Sequence, residues 1–184
     1  IIADSTGIYY DSQGNSDLVH VLNGGMPPEH WAQAADPVEI ADTLRLFQKV
    51  GASKYNCFGS PDSDTIKGYE PGVLVVDQTK GDAALKYGGI EEGDFDRMLK
   101  DALDENPGVP VYVRTHPDHM HRSKHSCFGD DSLGHPRIHI LPSSMSPRDC
   151  FEFCHSVYVG TSLLGMEALI HGKNVHAYGW PFYS

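Results

Sequence analysis

Residues 157–182, VYVGTSLLGMEALIHGKNVHAYGWPF, narrow the possible folds of this chain more than any other stretch. Val157, Tyr158 and Val159 are β-formers stopped by Gly160, and residues 163–170 carry apolar groups at helical spacing. Gly172 and Lys173 break that helix before a second short strand at 174–178. The spacing thus predicts a strand, a tight turn, a helix and another strand. In such a unit the helix begins at the carboxyl edge of the sheet, where N–H groups and the helix dipole favour an anion. Thr161 and Ser162 occupy the turn, with hydroxyls suited to capping or to phosphate. Glu167 stands among Leu164, Met166, Ala168 and Leu169, so its carboxylate is either solvated or bonded to something specific.

Two further runs, GVLVVD at 72–77 and VPVYVR at 109–114, are apolar without alternation, the pattern of strands covered on both faces. A strand at 138–141 and helices at 94–103 and 147–154, the latter capped by Ser146, are predicted around them. Upstream, GIYY at 7–10 reads as a short strand, 16–22 as a capped helix and 26–35 as a connection. The helix at 36–50 is strongly marked. Asp36 is its N-cap, Pro37 its first residue and Glu39 the capping-box partner, with Val38, Ile40, Leu44, Phe47 and Val50 on one face and Gly51 as stop. Residues 55–71 read as a loop with a short strand near Cys57. Strands and helices in alternation predict an α/β fold, a mostly parallel Rossmann-like sheet with helices on both faces.

A chain of 184 residues suffices for one sizeable core, and residues 1–184 are read as a single domain. It opens on Ile1 and stops just past an aromatic cluster, which reads as a fragment of a longer polypeptide. Lys and Arg number 14 against 25 Asp and Glu, a net charge of -11 with His neutral. That balance argues against a nucleic-acid partner, which needs a basic face. No apolar run approaches the roughly 18 residues of a membrane span. Cys57, Cys127, Cys150 and Cys154 have no CxxC spacing and are read as reduced, structural thiols of a cytoplasmic protein.

Three loops follow buried strands, at 78–82, 115–118 and 161–167, and a parallel sheet brings them to one edge. Asp82, His116, Ser162 and Glu167 are therefore expected to converge, with Gln78 and Gly81 beside Asp82. Pro117 restricts the backbone of His116 toward the extended region, which aims the imidazole out of the strand end. A lone histidine there can equally cap or pack, and QTKGD can equally be a plain connection. His116, His119, His121 and His125 invite a zinc site, but their spacing matches no ligand pattern and no metal is expected. Residues 119–135 are read as an excursion from the core.

GIYYD, VLVVDQTKGDAALKYGG, VYVRTHPD and VYVGTSLLGMEALIHGKNVHAYGWPFY together resemble the capsule polysaccharide synthesis family, the β-Kdo transferases of the KpsC type. The last motif, which combines TSxxGxEA with GxPF and includes Gly165, is the most specific. The resemblance implies a retaining glycosyltransferase that uses CMP-Kdo as donor substrate, without another cofactor. Two Rossmann-like halves would face each other across a cleft in the GT-B manner, this chain being mainly the C-terminal half. Residues 1–35 would then include the linker or the edge of the other half. Asp82 would be the nucleophile and His116 the phosphate ligand that stabilises the leaving group. Thr161 and Ser162 would bind the same phosphate, and Glu167 the ribose. The acceptor would be a glycolipid or Kdo-oligosaccharide in capsular linker synthesis for polysaccharide export, at the inner face of the cytoplasmic membrane, alongside other capsule assembly proteins. Another two-Rossmann nucleotide-sugar transferase or epimerase, or a non-catalytic nucleotide- or glycan-binding module, remain alternative readings.

Overall fold

A computed structural model describes residues 20, 37–54, 66–115 and 125–184. Helix α1 (Pro37–Val50) precedes strand β1 (Gly72–Val76), helices α2 (Ala83–Tyr87) and α3 (Gly93–Glu105), and strand β2 (Val111–Arg114). A 3-10 turn (Asp130–Leu133) leads to β3 (Ile138–Ile140), α4 (Pro147–Phe153), β4 (Cys154–Val159), α5 (Leu164–Ile170) and β5 (Asn174–Ala177). All strand pairs are parallel, and the sheet order is β3-β2-β1-β4-β5. The chain winds outward from β1 in one direction, then returns to lay β4 on its other side. The expected elements at 7–10, 16–22 and near Cys57, and the Asp36 cap, lie outside the described residues.

The unalternating apolar runs have the expected cause. Val73 and Val75 pack with Phe95, Met98 and Leu99 of α3 on one face, while Leu74 and Val76 pack with Cys150, Phe151 and Ala168 on the other. Each strand residue thus finds an apolar layer whichever way it points. Gly72 is required at the entry to β1, because a Cβ there would sit 2.5 Å from the Pro110 carbonyl oxygen and 2.8 Å from the Tyr112 ring. Helix α4 begins as expected, with Ser146 and Asp149 forming a reciprocal capping box ahead of Pro147.

Three expectations are amended. Helix α1 forms, but none of its residues is buried, and Val38, Ile40, Leu44 and Val50 face solvent. Periodicity fixed which face is apolar, and burial depends on what packs there. The five-residue helix α2 has no predicted counterpart, being too short for periodicity to register. Finally, the stretch read as an excursion, 119–135, contains core residues. Cys127 and Phe128 are buried, Phe128 lies edge-on to Phe95 at 5.7 Å, and the Cys127 N–H donates to Asp77 Oδ1 at 3.0 Å.

Phe95→Ala should cost about 3–5 kcal/mol of unfolding free energy in urea titrations. Val38→Ser, on the exposed face of α1, should stay within about 0.5 kcal/mol.

Candidate functional site

The strand order reverses between β1 and β4, and at such a switch point the loops leaving two adjacent strands diverge to open a crevice. Gln78, buried just beyond β1, spans it. Its Oε1 accepts the Thr161 N–H at 2.7 Å, and its Nε2 donates to Thr161 Oγ1 at 3.1 Å. Gly160 makes this possible, since a Cβ there would lie 2.6 Å from Gln78 Oε1. Above this bridge lies a cavity of about 310 Å³, whose charged lining comprises Lys54, Asp77, Asp82, Arg114 and Glu167.

The three carboxylates differ in access. Asp77 and Glu167 are buried, at 2% and 4% exposure, whereas Asp82 is exposed. Asp82 is also the N-cap of α2, where its Oδ1 accepts the Ala84 N–H at 3.0 Å. Glu167 is bonded specifically rather than solvated. Its Oε1 accepts from Ser53 Oγ at 3.1 Å and from the Lys54 N–H at 3.0 Å, which ties the segment after α1 to α5. Burial raises the Glu167 pKa above the ordinary glutamate value, opposed by those two hydrogen bonds and by the nearby Arg114 charge. Arg114 is itself buried and donates to the Met145 carbonyl.

Thr161, Ser162, Gln78, Asp82 and Glu167 therefore line one cavity, as the shared sheet edge requires. His116 and Pro117 lie outside the described residues. Thr161 gives its N–H to Gln78 Oε1 and accepts from Gln78 Nε2 through its hydroxyl oxygen, and Ser162 Oγ accepts the Leu164 N–H at 3.3 Å. The described cysteines, Cys127, Cys150 and Cys154, are buried free thiols, and burial pushes the first two up to about 12 and about 11. Such thiols are not nucleophiles at neutral pH. Among the described residues no group of three or more His, Cys, Asp or Glu is placed to hold a metal ion.

The aromatic end of the chain closes one side of the site. Tyr183 lies over the start of α5, its hydroxyl donating to the Ser162 carbonyl. A Cβ on Gly165 would sit 2.3 Å from that hydroxyl oxygen and 2.8 Å from ring carbon Cζ, so the two parts of the closing motif are matched in shape. Burial pushes the Tyr183 phenol well above its ordinary pKa. On another side, the turn at Gly88 packs directly on Thr161. A Cβ there would be 2.2 Å from Thr161 Cγ2.

A family model described as capsule polysaccharide biosynthesis protein matches residues 41–184. The chain belongs to this family. Among curated capsule proteins it is 35% identical over 191 aligned residues to the capsule polysaccharide modification protein LipA of Neisseria meningitidis serogroup B. That alignment spans all of this chain and 26% of LipA, so the chain covers about a quarter of that relative's length. The lipopolysaccharide-processing protein LpsZ of Rhizobium meliloti is 31% identical, with 41% of its length covered. Among solved structures, the Thermosulfurimonas dismutans KpsC β-Kdo 2,4 transferase superposes with a TM-score of 0.80 at 32% identity, over the whole of this chain and 56% of its own. The β-Kdo 2,7 transferase of the same organism gives 0.67 at 27%, with 53% covered. The capsule-family fold is thus the α/β Rossmann-like one predicted, consistent with one half of a GT-B-like enzyme.

Sequence reasoning missed Ser53, Lys54, Arg114 and Trp180 as cavity residues. Arg114 carried a signal, a cation closing an apolar strand. Ser53 and Lys54 reach the site only through the packing of α1, for which the sequence has no local sign.

Gly165→Ala should cost about 1–3 kcal/mol in urea unfolding. The cost should shrink when Tyr183→Ala removes the opposing ring, a coupling that a double-mutant cycle measures. Because the folded pKa of Glu167 is raised, its ionisation weakens the native state as pH rises from the ordinary glutamate value through the folded one. The stability of Glu167→Gln relative to the parent should therefore increase from pH 4 to 8.

Proposed function

We propose that this chain is the donor-nucleotide half of a retaining β-Kdo transferase in capsule synthesis, taking CMP-Kdo as donor substrate. The observation that carries the reading is the switch-point cavity, with two buried carboxylates and one exposed carboxylate beside a buried arginine. The 0.80 superposition on a β-Kdo 2,4 transferase supports it. Residues 1–184 act as a single nucleotide-sugar-binding domain, and the opposing half supplies the other wall of the cleft. The acceptor is a glycolipid or Kdo-oligosaccharide, met at the inner face of the cytoplasmic membrane in company with other capsule assembly proteins. Among the described residues no helix is long and apolar enough to cross a membrane.

The exposed Asp82 carboxylate suits attack on the anomeric carbon of Kdo. A bond forms from its oxygen to that carbon, and the bond to the CMP phosphate oxygen breaks, its electron pair leaving with CMP. An acceptor hydroxyl then bonds to that carbon, the Asp82 carboxylate leaves with the electron pair of its bond, and the hydroxyl proton passes to solvent water, so two inversions retain configuration. His116, Ser162 and Thr161 bind the phosphate on which charge develops, and Gly81 and Pro117 shape the loops that carry Asp82 and His116. Glu167, held by Ser53 and Lys54, keeps its second oxygen for the ribose hydroxyls.

Asp82 also caps α2, so asparagine is the informative replacement, since it keeps a capping acceptor. In the full-length protein Asp82→Asn should lower transfer roughly a thousandfold or more while leaving CMP affinity by calorimetry within about twofold. Retained transfer overturns the nucleophile role. His116→Ala should weaken CMP about tenfold, and thermal stabilisation by CMP but not by UDP or GDP separates this donor from those of other nucleotide-sugar enzymes.

A further inference from the structure

Trp180 lines the cavity yet is 69% exposed, a large apolar ring held in solvent. Its position is fixed by the main chain. The Trp180 N–H donates to the Gly88 carbonyl at 2.8 Å, and the Gly179 N–H donates to the Gly160 carbonyl at 3.2 Å. Pro181 follows and restricts the Trp180 backbone in turn. Gly89, with φ +64°, makes the turn beside the indole, where a Cβ would be in ordinary van der Waals contact with Trp180 Cδ1 at 3.4 Å. Gly179 abuts Thr161, a Cβ there falling 2.6 Å from Thr161 Cγ2. Three glycines, 88, 160 and 179, thus let the backbone approach closely enough to hold one ring at the cavity mouth without burying it.

Solvent exposure of an indole forfeits the apolar burial that normally places tryptophan, and an incoming ligand can restore it. The location selects the ligand. Helix α2 runs from its cap Asp82 to Gly88, whose carbonyl holds Trp180, so Trp180 and the exposed carboxylate mark the two ends of one short helix. Resting on the function proposed above, the group beside Asp82 is a sugar, whose C–H face is apolar and whose hydroxyls stay in water. We infer that Trp180 is a stacking platform for a pyranose ring, a specificity-determining residue of the donor or acceptor sugar rather than of the nucleobase.

The full-length protein labelled with 5-fluorotryptophan tests this, the Trp180 fluorine resonance being assigned by its loss in Trp180→Phe. The methyl glycoside of Kdo should shift that resonance and CMP should not. In transfer assays Trp180→Ala should raise the KM of one sugar substrate about tenfold, Trp180→Phe less, with CMP affinity unchanged. A raised donor KM identifies the donor sugar, and a raised acceptor KM the acceptor. Four results overturn the platform: a shift caused by CMP alone, no shift with any pyranoside while CMP binds, unchanged KM values in Trp180→Ala, or CMP affinity and melting temperature falling together. If CMP does not bind but another methyl pyranoside shifts the resonance, the platform stands and the Kdo reading fails.

Discussion

Gln78 and Thr161 lie 83 positions apart and are joined through the side-chain amide of Gln78, and the site depends on that junction. Diverging loops at a switch point open a crevice but leave its floor undefined. The side-chain amide defines it by satisfying a backbone N–H and a hydroxyl at once. An unpaired amide in this buried position would carry a desolvation penalty of about 1–3 kcal/mol, so the geometry is strongly favoured. One side of the cavity is referenced to it. Gly88 and Gly179 pack on Thr161, Ser162 follows it directly, and Gly160 makes way for the amide.

The walls are built by different means. Glu167 holds the segment after α1 through one carboxylate oxygen, Arg114 holds the loop before α4 through the Met145 carbonyl, and Tyr183 fits where Gly165 has no side chain. Charged groups here act first as fasteners of the cavity. The same is true of Asp82, whose capping bond to Ala84 orients the carboxylate left open to solvent. Preorganisation of this kind spares a ligand the entropy of ordering the loops around it.

The central strands were legible because a strand with apolar layers on both faces must be apolar throughout, and 72–76 and 157–159 are. The shared edge followed from parallel pairing, which is why Asp82, His116, Ser162 and Glu167 could be grouped from the sequence alone. Less was legible where packing decides. Helix α1 announced its apolar face but not whether anything covers it, and the bond from Glu167 to the backbone of Lys54 leaves no trace in spacing. Gln78 looked like one polar residue among five in QTKGD. Its partner became apparent only once β4 was known to lie beside β1. Asp82 as a cap was available in principle from the two alanines after it, but five residues are too few for periodicity to register.

The order of the strands also governs when this cavity can exist during folding. Strand β1 lies at the centre, and its flank opposite β2 is filled by β4, with Gly72 paired to Cys154 and Val75 to Tyr158. Pairings so distant in sequence carry a large loop-closure entropy and form slowly. As the chain leaves the ribosome, β1, β2 and β3 can assemble while one edge of β1 stays open, and only the arrival of residues 154–161 seals it. The cavity is thus completed only once β4 has been made, in the same event that removes an unpaired strand edge prone to misassociation.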